Sequence, residues 1–114
     1  MRRSRAPAAK WGRRRASRSR IQNGEPLLRL GDFHANRAEW GAAADRYRRA
    51  TDIYGSSVEG WCKLGEALDA LGRLDEAQTA LQEALTSYRT APWYRRSDDR
   101  PWKRRAARLL RNHR

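Results

Sequence analysis

Residues able to do chemistry are few in this sequence of 114. There is one cysteine, Cys62, and there are two histidines, His34 and His113. A lone cysteine excludes an internal disulfide, and one Cys with two scattered His gives no metal-ligand spacing. No Ser/His/Asp set and no glycine-rich phosphate loop is present. The carboxylates Asp32, Glu39, Asp45, Glu66, Asp69, Asp75, Glu76 and Glu83 are spread as on a solvated helical surface. His34 reads as a packing residue between helices, and Cys62 as a small semi-apolar residue on a helix face. The pattern therefore predicts a protein with no catalytic residue, no metal and no cofactor.

Arginine is the one reactive-looking group in excess. Lys and Arg number 26 against 13 Asp and Glu, a formal net charge of +13. Residues 1–20 hold nine basic groups and no acid, residues 21–92 carry a net −3, and residues 93–114 a net +7. A basic block of this density self-repels and buries little, so residues 1–22 are expected to form a disordered arm. No apolar run approaches the roughly 20 residues that a membrane-spanning helix needs. The first residues also lack the apolar core of a secretory signal.

The elements that must position these groups come from an internal repeat. A shift of 34 residues aligns Leu27 with Trp61, Leu30 with Leu64 and Gly31 with Gly65. It also aligns Ala43 with Ala77, Tyr47 with Leu81, Ala50 with Ala84 and Tyr54 with Tyr88. Trp61, Leu64, Leu68 and Leu71 form one helical stripe, and Ala77, Leu81, Ala84, Leu85 and Tyr88 the next. Gly72 falls where a left-handed residue would end the first helix of the pair, and Pro26 suits a first helical turn. Small residues at 31, 65, 43 and 77 would let paired helices approach closely.

This pattern resembles the tetratricopeptide repeat, W-x2-L-G-x2-Y followed by A-x3-F at a 34-residue period. One copy reads Trp61-x2-Leu64-Gly65-x2-Leu68 then Ala77-x3-Leu81; the other reads Leu27-x2-Leu30-Gly31-x2-His34 then Ala43-x3-Tyr47. The resemblance implies an all-α, right-handed solenoid of antiparallel helix pairs, with two repeats at 24–57 and 58–91 inside a segment 23–91. A third copy fails, because Arg95, Asp98 and Asp99 would stand at the Trp61, Leu64 and Gly65 positions. Residues 92–114 are expected to hold a basic capping helix over 97–112, with Ser97 or Asp99 as cap and Pro101 in the first turn.

Two functional readings follow. The resemblance implies a protein-binding adaptor or assembly factor whose concave groove is lined by Leu28, Asp32, Asn36, Cys62, Glu66 and Asp69. Some members grip a C-terminal carboxylate there with lysine, arginine and asparagine, and Leu28, Asp32, Cys62 and Glu66 at those places argue against such a clamp. An acidic groove would instead favour a basic or amphipathic peptide, and the same acids also read as ordinary solvated charges. The alternative is contact with RNA or DNA through the tails, by Arg13, Arg14, Arg15, Trp93, Arg95, Arg96, Lys103 and Arg104. Against it, Trp93 and Tyr94 could pack on the second repeat, the arm could be an organelle transit peptide, or the charge could serve an anionic lipid surface. A cytoplasmic location is expected, or an organelle if the arm is such an address.

Overall fold

The computed structural model describes residues 24–113. Residues 1–23 and 114, and with them the arm and Arg13, Arg14 and Arg15, lie outside the described residues. Five helices follow one another: α1 Glu25–Asn36, α2 Trp40–Ile53, α3 Val58–Ala70, α4 Leu74–Thr90 and α5 Trp93–Asn112. Each packs on the next in sequence, and α5 also reaches back to α3. No strand occurs among the described residues.

The 34-residue period survives in the backbone itself. Ala38 and Gly72 stand 34 apart, and both take positive φ, 60° and 81°. The amide of Ala38 donates to Ala35 and that of Gly72 to Asp69. One residue later, Glu39 donates to His34 and Arg73 to Leu68. These paired bonds cap the last turn of the first helix in each repeat, satisfying carbonyls that the helix leaves free. The next helix then starts at once, from Glu39 and Arg73 with nearly equal dihedrals. Ser57 starts α3 differently: its hydroxyl accepts from the Gly60 amide at 2.9 Å, a side-chain N-cap.

Within each pair, contact is set by glycine. A Cβ on Gly65 would stand 2.5 Å from Leu81 Cδ2, and one on Gly31 would enter the Tyr47 ring. The core forms two clusters. The first joins Leu28, Tyr47, Leu64 and Leu68 with alanines of α2, α3 and α4. The second joins Val58, Cys62, Leu81 and Ala84 to Ala106 of α5, with Trp102, Leu109 and Leu110 against it. Trp61 touches both clusters, and its indole N–H donates to the Gly55 carbonyl at 2.7 Å.

Equivalent positions are not equally buried. Leu64 is 1% exposed, but its counterpart Leu30 is 39% exposed, and Phe33 is 53% exposed. Leu64 faces the first helix pair, whereas α1 has no helix before it among the described residues.

The last helix departs from expectation. It begins at Trp93, after Pro92 in extended conformation, and not at 97, so neither Ser97 nor Asp99 is a cap. Pro101 lies inside it. Its missing N–H would have bonded the Ser97 carbonyl, but both residues sit on the exposed side of α5, where water can take that carbonyl. The apolar side of α5 closes on the second cluster, and that packing outweighs the local preference to break.

The turn geometry predicts opposite effects at the two equivalent positions. Ala38→Gly relieves a left-handed alanine and should raise unfolding stability by roughly 1 kcal/mol, whereas Gly72→Ala should lower it by a similar amount. Urea denaturation of the two variants measures both.

Candidate functional site

The helices α1, α3 and α5 lie side by side along one face and line a concavity of about 380 Å³. Its walls are Asp32, Ala35 and Asn36 of α1, Trp40 and Tyr47 of α2, Lys63 and Glu66 of α3, and Trp102 and Arg105 of α5. No group of three or more metal-ligating side chains occurs among the described residues.

Two linked ion clusters build the floor. Lys63 Nζ donates to Asp32 at 2.9 and 3.0 Å and to Glu59 at 2.6 Å. The Tyr47 hydroxyl donates to the same Asp32 at 2.7 Å. Burial works to raise the Asp32 carboxyl, but the bonds from Tyr47 and Lys63 and the charges of Lys63 and Arg29 hold it below its ordinary value. Burial, then the bond to Asp32, pushes the Tyr47 phenol far up. Across the groove, Arg105 meets Glu66 as a two-pronged fork at 2.8 and 2.5 Å, the stronger geometry for such a pair. The Trp102 ring takes a cation from each cluster, Lys63 and Arg105 each 4.8 Å from its centroid.

The six groove residues expected from sequence separate in space. Asp32, Asn36 and Glu66 line the concavity. Leu28 and Cys62 are buried in the two core clusters. Asp69 lies at the end of α3, where the His113 imidazole meets it at 2.7 Å. The lining carries Lys63 and Arg105 beside Asp32 and Glu66, two cations for two acids. Sequence reasoning missed both cations, as well as Trp40, Tyr47 and Trp102. The i,i+4 spacing of Glu59 and Lys63 was a readable signal. The pairing of Glu66 with Arg105, 39 residues apart, had no local one.

The residues grouped for nucleic-acid contact, so far as they are described, all belong to α5. Trp93 is 82% exposed and Tyr94 63% exposed, so neither packs into the second repeat. Their rings meet edge to face at 5.7 Å. Arg95 turns inward, over the Tyr54 ring and bonded to its hydroxyl. Arg96 donates to the Arg89 carbonyl at 3.1 Å, Lys103 lies over Tyr88 at 5.7 Å, and Arg104 is exposed.

Residues 58–91 match the family model of the tetratricopeptide repeat. The five-helix chain fits a TPR-like repeat protein. No curated protein and no solved structure matches it. The TPR suggests protein–protein interaction, and the family is typically non-catalytic. Among the described residues no helix is long and apolar enough to cross a membrane.

Two outcomes follow from the site. Asp32→Asn removes a charged acceptor from Tyr47 and Lys63, and should cost about 1–3 kcal/mol at pH 7. Because the folded pKa of Asp32 is depressed, its stabilisation is complete above its unfolded value and fades as pH falls through the folded one. The gap between variant and wild type in urea melts should therefore narrow below about pH 4. The second outcome concerns Cys62, fully buried, whose thiol is pushed up to about 12 by burial and by Glu66. It should resist a disulfide reagent at pH 8 in the native protein and react once urea unfolds it.

Proposed function

We propose that the protein is a non-catalytic adaptor or assembly factor that holds a segment of a protein partner in the α1–α3–α5 groove. The observation that supports this most directly is the composition of the concavity. Trp40 and Trp102 offer apolar and π surface, while Asp32, Lys63, Glu66 and Arg105 offer both signs of charge. An amphipathic segment fits that lining better than a uniformly basic one, since its apolar side meets the indoles and its polar side meets paired charges. The ion pairs are already satisfied within the protein, so they hold the walls in place before a partner arrives, which limits the ordering cost of binding.

Nothing in the lining has the makings of a reaction site. The carboxylates are tied to Lys63, Tyr47 and Arg105, and the thiol of Cys62 is shut in the core behind them. On this reading the groove is a binding surface.

The test uses Asn36, which lines the concavity yet is exposed at the end of α1. Asn36→Arg projects a long charged chain into the groove without disturbing the core. Partners recovered with the full-length protein should be lost with this variant while its helical circular dichroism and urea midpoint stay unchanged. An arginine placed on the opposite side, Gln82→Arg, should leave recovery intact. Equal recovery by Asn36→Arg and wild type would move the binding surface elsewhere.

A further inference from the structure

The outer side of α5 carries a charge pattern that capping does not require. Arg96, Arg100, Arg104 and Arg108 follow one another at intervals of four residues, and Arg111 lies on the same side. All five are exposed. At 3.6 residues per turn they fall within about a third of the helix circumference, with successive members about 6 Å apart along the axis. The α5 cation that does find a carboxylate, Arg105 with Glu66, sits on the inner side. Among the described residues no ion pair reaches Arg96, Arg100, Arg104, Arg108 or Arg111.

Like charges at i,i+4 repel and weaken a helix. A capping face that served solubility alone would be better built from mixed signs, with acids placed to pair with the arginines. The row is instead of one sign over most of α5. At its N-terminal end, on the same side as Arg96 and Arg100, stands Trp93, 82% exposed and touched edge-on by Tyr94. A ring held that way keeps a free face.

We propose that this face of α5 binds a single strand of nucleic acid, its phosphates along the arginine row and an unstacked base on Trp93. Phosphates spaced along a strand match a linear file of guanidiniums, each of which can take a phosphate in a two-pronged contact. The aromatic end supplies the stacking that single-strand binders use without reading sequence. A duplex fits less well: its bases are paired and stacked on one another, so none is free to lie on Trp93. A lipid surface fits less well too, because the apolar residues that would enter it, Trp102, Ala106, Leu109 and Leu110, are committed to the second core cluster. The proposal does not rest on the groove reading, since the groove is lined by the inner side of α5 only.

Full-length protein is titrated with a fluorescein-labelled 12-nucleotide oligouridylate at several salt concentrations, and anisotropy is read. The wild type should bind with a steep salt dependence. Arg100→Gln/Arg104→Gln/Arg108→Gln should make the slope of log affinity against log salt shallower by about 2, since each phosphate neutralised on a single strand contributes about 0.7. Trp93→Ala should weaken binding about fivefold or more with the slope unchanged. Circular dichroism should be alike for all three proteins, because every substituted residue is exposed. The proposal is overturned if the wild type does not bind the oligonucleotide, or if both variants bind as it does, which would assign the contact to the N-terminal arm. Equal or tighter binding to a 12-base-pair duplex, to phosphatidylserine vesicles or to polyglutamate would overturn it as well.

Discussion

The closest approach within each helix pair governs this fold. At Gly31 and Gly65 the absence of a Cβ lets Tyr47 and Leu81 press against the facing backbone. That contact fixes how near α2 lies to α1 and α4 to α3, and so where each pair turns its remaining faces. With the pairs this tight, alanines can fill most of the first cluster, and a further large side chain is set where the pairs meet. Trp61 stands at that place, shared by both clusters. The placement of α1, α3 and α5 in a row, and with it the groove, is a consequence of this packing.

Two repeats are a thin solenoid, because small cores supply little stability by themselves. The chain meets that shortage with polar cross-links between successive first helices. Asp32 of α1, Lys63 of α3 and Trp102 of α5 form one connected series, and Arg105 with Glu66 adds a second tie. Lys63 is only 11% exposed and faces two carboxylates, so its charge is compensated where desolvation would otherwise penalise it. The same groups that hold the helices in register therefore line the concavity.

Helix α5 uses its two sides for different purposes. Inward, Trp102, Ala106, Leu109 and Leu110 seal the second cluster while Arg105 and His113 take carboxylates of α3. Outward, the exposed arginines face solvent together with Trp93 and Tyr94. At the other end of the stack, Leu30 and Phe33 of α1 remain open. The stack thus presents exposed apolar side chains at one end and a row of exposed arginines at the other.

Read alone, the amino-acid order was enough for the helical pairs, their 34-residue period, the left-handed turn at Gly72 and the close contact at Gly65. Each of these is a local matter of periodicity, side-chain size or backbone freedom, and repetition doubled every signal. The equivalent turn at Ala38 was hidden because alanine carries no mark of positive φ, although it makes the same pair of backbone bonds. The start of α5 was misread for a similar reason, since Pro101 signals a break that burial of the Trp102 side overrides. The site was legible only in part. Asp32, Asn36 and Glu66 could be placed by their position in the repeat, but Leu28 and Cys62 occupy equivalent register and are buried instead. Whether a groove position faces solvent depends on what the neighbouring helix sets against it. The partners of the acids, Lys63 and Arg105, are 31 and 39 residues away from them. Charge balance in the groove is thus a property of helices brought together by packing, and no local stretch of the chain contains it.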